Sequence, residues 1–222
     1  KVGILTAMPL EGGGGNPMMG QQGEPRWAFL DQLVDFFDVE VLPGSTDAID
    51  ASVDILMVVH PRGFTDATLY LIDQWALAGK PLLVFVDPQC DVDPGQSDDP
   101  SNPMSRFTAK KDSNLESLFQ AWGFELAKSK IACDKALGVL QDVPSQDRRS
   151  SARIPLVFVP RLTEKELNRE DPVTRLLTNI LLWTPGSLKK LADGATTFTP
   201  ILQTTEESQE VDSMQFQFQA QP

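Results

Sequence analysis

The chain is poor in the groups that usually announce a reaction. Its 222 residues hold one histidine, His60, and two cysteines, Cys90 and Cys133. Two cysteines in a chain of this length define no disulfide framework, and their spacing matches no zinc site. No G-x-S-x-G or G-x-C-x-G segment occurs, so the strained strand-to-helix elbow that exposes a nucleophile has no counterpart. No apolar run approaches the roughly 20 residues that cross a bilayer, so the chain as given reads as soluble. Positive charge is also scarce: 19 Lys and Arg against 31 Asp and Glu leave a net charge of -12. That balance argues against nucleic acid or an anionic membrane as partner and is met by simple colloidal solubility. The sequence opens at Lys1 inside an apparent strand, without an initiator methionine or signal sequence, as an excised segment or mature fragment would.

What is present is centred on residues 53–88, VDILMVVHPRGFTDATLYLIDQWALAGKPLLVFVDP. Ile55–Val59 is a continuous apolar run, as expected of a strand buried on both faces. His60, Pro61, Arg62 and Gly63 break it. Thr65 is the expected N-cap of a helix with Asp66 in its first turn. Leu69, Ile72 and Ala76, with Leu71 and Trp75 beside them, form a wide apolar arc at helical spacing, and Gly79 ends it. Leu82–Val86 is a second strand, closed by Asp87-Pro88. Two strands joined by one helix pair in parallel through a right-handed crossover.

Before this unit, Val2–Ala7 reads as a strand, residues 8–25 as a long loop, Arg26–Phe37 as an amphipathic helix and Val39–Leu42 as a strand. After it, residues 89–112 are rich in Asp and Pro and read as an irregular excursion. Leu115, Leu118, Phe119 and Trp122 mark a helix capped by Ser113 and closed by Gly123. Ile131–Val139, Ile154–Val159, Asn179–Trp183 and Phe198–Leu202 read as strands extending the parallel sheet, some antiparallel. The tail from residue 206 is either a last edge strand or a frayed end. The order predicts an α/β fold: a doubly wound three-layer sandwich with a mainly parallel sheet and a β-rich C-terminal part, residues 1–205 forming one domain.

The candidate sites are few. Gly12–Gly15 lies between a strand and a helix, but Met18 stands where the third glycine of a dinucleotide fingerprint belongs, and the helix starts about ten residues later. Gly79-Lys80 lacks the upstream glycine of a P-loop. His60 sits at the carboxyl end of a central strand, where open α/β sheets place ligands, and Cys90 follows a neighbouring strand end. The plain reading is a turn histidine and an incidental thiol. Asp91, Asp93, Gly95, Ser97 and Asp98 alternate oxygen ligands as calcium loops do, without the sixth-position glycine or the distant glutamate, so a solvated acidic loop is expected. Glu164/Glu166 and Glu206/Glu207 have no apolar surroundings to raise a pKa.

Several segments together resemble a known family: VGILTAMP, WAFLDQLVDFFDVEVL, the 53–88 unit, IACDKALGV and NREDPVTRLLTNILLWTPGSL. They are similar to the soluble domain of the gliding-motility-type auxiliary component of ABC transport systems, whose related module occurs in intraflagellar transport proteins. The most specific part is the strand ending at His60-Pro61, the helix with Ile72-Asp73-Gln74, and the strand closed by Asp87-Pro88. The resemblance runs from residue 1 to about 205; the loops at 8–25 and 89–112 depart from it. It implies a class I glutamine-amidotransferase-like (flavodoxin-like) sandwich lacking the catalytic Cys–His–Glu set, anchored by membrane helices outside this chain and facing the periplasm from the inner membrane. It implies no enzyme and no cofactor, and as partners an ABC transporter permease or an envelope protein. Any binding surface is expected at the carboxyl rim of the sheet: His60, Arg62, Asp87, Cys90, Asp91 and the 89–112 loop. The rival readings are a relic amidotransferase or hydrolase using Cys90 with His60, and a glycan-binding rim.

Overall fold

The computed structural model describes residues 1–13, 23, 25–93, 95, 109–144 and 151–216. The chain divides into two compact units, Lys1–Val86 with Ser113–Leu118, and Asp87–Asp112 with Phe119–Pro222.

The first unit is α/β. Strands β1 (Val2–Thr6), β2 (Val39–Pro43), β3 (Ile55–Val59) and β4 (Leu82–Phe85) form a four-stranded sheet in the order β2-β1-β3-β4. All three pairings are parallel, as the 53–88 unit predicts. Helix α1 (Ala28–Val34) joins β1 to β2, and α2 (Asp66–Leu77) joins β3 to β4. The two crossovers move in opposite directions along the sheet, so right-handedness sends the helices to opposite faces. One face carries Val2, Ile4, Val39, Val41, Met57 and Val59, packed with Leu30 and Leu33 of α1. On the other face Leu5, Leu56 and Val58 are wholly buried, as is Ile72 of α2. Gly3 belongs there because a Cβ would come within 3.1 Å of Val53.

Helix α2 starts and stops as its sequence requires. Thr65 is the N-cap, its hydroxyl accepting from the Thr68 N–H, and Gly79 takes φ +69 just past the C-cap Ala78. Helix α1 is shorter than the expected 26–37. It ends at Val34, and Phe37 is 51% exposed rather than packed on the core. The expectation that Ile55–Val59 is buried on both faces also fails. Leu56 and Val58 are sealed, but Ile55 is 37% exposed, and beside β3 Leu83 and Phe85 are 45% and 51% exposed. The short α1 covers β1 and β2 and leaves this half of its face open.

The second unit is antiparallel throughout its described strands. β5 (Phe124–Leu126) pairs with β10 (Leu188–Lys190), β6 (Lys130–Asp134) with β11 (Ser208–Asp212), and β8 (Ser151–Thr163) lies between β7 (Gly138–Pro144) and β9 (Asn179–Leu181). These are separate sheets, not the extension of the parallel sheet that their apolar runs suggest. Ile131–Val139 is not one strand but two, because Lys135–Leu137 turns between β6 and β7. Phe198–Leu202 forms no strand; only Leu202 bridges to Leu167. The tail resolves in favour of an edge strand at β11, followed by a 3-10 turn at Ser213–Gln215. A core of Ile131, Cys133, Phe158, Val159 and Phe216 fills this unit, with Phe158 5.0 Å from Phe216 and edge-on to Trp183. Helix α3 (Glu116–Trp122) ends at Gly123, as expected, where φ is +88 and Gly194 lies too close for any Cβ.

Candidate functional site

The carboxyl rim of the parallel sheet begins where β3 ends. His60 leaves the strand with φ +48, a left-handed conformation that non-glycine residues rarely adopt, while its N–H donates to the Phe85 carbonyl at 3.0 Å. The kink ends β3 and turns the chain toward Gly63, itself at φ +66. His60 is 4% exposed, and Arg62 is half-buried. The imidazole is thus enclosed at the strand end.

The other three predicted residues belong to the second unit. Asp87 accepts from the Gln89 N–H at 2.8 Å, a local turn that satisfies one carboxylate oxygen. Cys90 is a free, half-buried thiol whose N–H donates to the Lys111 carbonyl at 2.9 Å. Burial pushes its pKa up, and the carboxylates of Asp87 and Asp93 push it further in the same direction. An activated cysteine needs the opposite field. Asp91 accepts from the Trp183 indole N–H at 2.5 Å. Around this stretch, Pro88, Gln89, Ala109–Asp112, Ser129 and Asp212–Met214 line a small cavity of about 300 Å³. The five predicted residues therefore divide between the units, His60 and Arg62 in the first, Asp87, Cys90 and Asp91 in the second.

The calcium-like spacing resolves only in part. Asp91 is engaged by Trp183, and Asp93, 1% exposed, accepts from the Gly95 N–H at 2.8 Å. Ser97 and Asp98 lie outside the described residues, as do Gly14, Gly15 and Met18 of the glycine-rich segment. Among the described residues no group of three or more His, Cys, Asp or Glu could hold a metal ion. No helix among them is long and apolar enough to cross a membrane.

Sequence reasoning missed the apolar surface of the first unit. Phe29, Gln32, Leu33 and Phe36 from α1 and the turn after it, with Met57, Val59 and Phe85 from the sheet, line a groove of about 630 Å³. Phe36 stands 81% exposed at its edge. No sequence signal marked it: the apolar spacing over residues 26–37 predicts a longer helix, and the two turns that form cannot shield four strands.

The family described as ABC-type uncharacterized transport system matches residues 1–222, the whole chain. The chain belongs to that family. This agrees with the transport-auxiliary resemblance of the 53–88 unit, and it places the protein with an ABC transport system and hence with a membrane-associated process. No curated protein and no solved structure matches the chain. For this member of the ABC-type transport family, the site must be read from its own geometry.

Proposed function

We propose that this member of the ABC-type transport family is a non-catalytic docking domain of an auxiliary protein of the gliding-motility kind. It faces the periplasm, is held at the inner membrane by segments outside this chain, and contacts the transporter permease or an envelope protein. Its α/β unit is a class I glutamine-amidotransferase-like sandwich used as a scaffold, with no cofactor. The observation that carries the reading is the state of Cys90. A nucleophilic thiol needs neighbouring positive charge or a helix N-terminus to lower its pKa. Here burial and the Asp87 and Asp93 carboxylates act the other way and outweigh the backbone N–H groups of Val92 and Asp93, which lower it. His60, enclosed at the end of β3, is equally suited to a structural turn.

The test uses the full-length protein in its own cells. A photo-crosslinking residue replacing Arg62 should capture a permease or envelope protein, and a phosphatase fused after Pro222 should be active only on the periplasmic side. A Cys90-dependent hydrolysis of amide or ester substrates by the purified domain would overturn the non-catalytic reading. A phosphatase active only in the cytoplasm would overturn the orientation.

A further inference from the structure

We infer that the open half of the β-sheet face beside α1 is a docking groove for a basic amphipathic helix of a partner protein. None of the rim residues considered above lines this groove.

Its dimensions suit one helix. The open strip consists of the half-buried Met57 and Val59 side of β3 and the edge strand β4, two strands about 4.8 Å apart, and is about as wide as one helix, roughly 10 Å. Five residues of β3 give it a length of roughly 16 Å, about three helical turns. The register places Met57 beside Leu83 and Val59 beside Phe85, so these four apolar side chains stand on this one face. The wall is Phe29, Leu33 and Phe36 of the α1 segment, at the i, i+4, i+7 spacing of one helix face. Among the described residues, Gln32 is the only polar one lining the groove. Phe36, Phe85 and Leu83, 81%, 51% and 45% exposed, stand together along this strip rather than singly over the surface.

Charge chooses the occupant. Between Arg26 and Arg62 the sequence contains no Lys or Arg, while Asp31, Asp35 and Asp38 are exposed along and just after α1. Arg26 is engaged with Asp31 at 3.6 Å, and Lys1 with Glu40 at 2.7 Å. Asp35 is the C-cap of α1, and no basic residue stands in its last turn. A carboxylate at the negative end of a helix dipole is unfavourable by itself and becomes favourable beside a docked cation. A second copy of this chain, with net charge -12, brings the wrong sign to that rim. A helix with Leu-like residues on one face and Lys or Arg on the other satisfies both the groove and the rim.

The test needs no transporter component, so its failure and that of the docking role proposed above can be told apart. The probe is a fluorescent synthetic helix of about 18 residues built from Leu and Lys, with a Leu/Glu counterpart of the same apolar face. Anisotropy should report binding of the Lys peptide and none of the Glu peptide. Phe36→Ser, at a position too exposed to be needed for folding, should weaken binding at least about tenfold, and so should Asp35→Lys. Asp47→Asn, on the far loop, should change it little, with all variants melting like the parent. Binding insensitive to Phe36→Ser, equal binding of the two peptides, or no binding at all would overturn the proposal. So would a dimer in sedimentation, or flotation with phosphatidylcholine vesicles, that Phe36→Ser abolishes, since either result gives the groove a different occupant.

Discussion

The carboxylate of Asp134, at the end of β6, holds Thr205 by three hydrogen bonds. It accepts from the Thr205 N–H at 2.7 Å and from the Thr205 hydroxyl at 2.9 and 3.1 Å. The same side chain, with no exposed surface, also accepts from the N–H groups of Ala136 and Leu137 at 2.9 and 3.0 Å. One residue thus closes the β6–β7 turn and fixes the approach to β11, 71 positions away.

Removing that carboxylate leaves three backbone donors without their acceptor. Asp134→Ala should cost about 3 kcal/mol or more, and Thr205→Val only about 1 kcal/mol, since the Thr205 N–H keeps its partner. Urea unfolding midpoints check both. Equal losses would show that the hydroxyl, not the backbone, is what Asp134 holds.

Thr68 does comparable work in the first unit. It is wholly buried on α2, and its hydroxyl donates toward the carbonyls of Gly44 and Thr46 at 3.0 and 2.8 Å. Thr68→Val keeps the shape and takes the hydroxyl from the Thr46 carbonyl, while that of Gly44 still accepts from the Thr65 N–H at 3.3 Å, at an expected cost of about 1–3 kcal/mol. Thr65→Ala removes the N-cap and should cost about 1 kcal/mol. Thermal melts of the two variants should rank them in that order.

The two thiols should separate by pH. Burial pushes the Cys133 thiol up to about 11, and burial with Asp87 and Asp93 raises that of Cys90. A disulfide reagent near neutral pH should label the half-buried Cys90 slowly and Cys133 only after unfolding. A raised thiol pKa means that the fold favours the neutral form. Its stabilisation is present below the ordinary value of 9.0 and is lost as pH climbs toward about 11. Cys133→Ala should flatten the alkaline loss of stability.

At the acid end the sign reverses. Glu210 of β11 is held below its ordinary 4.5 by Lys189 of β10, at 2.6 Å, and by the Ser187 hydroxyl, at 2.5 Å. Asp212 is lowered by the Met214 N–H and Lys130. Depressed carboxyl pKa values contribute stability above the unfolded value, and that contribution disappears as pH falls through the folded one. Because Glu210 is partly solvated, Glu210→Gln should cost only about 0.5 kcal/mol at neutral pH. The difference from the parent should fade at acid pH, as Glu210 protonates below its ordinary 4.5. Urea midpoints at the two pH values measure it.

Local signals determined a good deal of this protein. The Ile55–Val59 run, the Thr65 cap, the apolar arc through Ile72 and the stops at Gly79 and Gly123 are short-range features, each expressed within a few residues of its cause. They are why the parallel β-α-β core and its α/β class are legible without coordinates. Strand partnering in the second half was not. Ile131–Val139 reads as one apolar strand, yet it folds back on itself at Lys135–Leu137, where the buried Asp134 that closes the turn also holds Thr205, 71 residues later. Sequence can tell that a strand is apolar, but not whether both of its faces will be covered. Leu56 and Met57 are equally hydrophobic neighbours, and only the assembled sheet, with one full helix behind it and a two-turn helix in front, seals the first and leaves the second at the edge of an open groove. Burial depends on the chain segments that reach a face, and no window of residues contains that information.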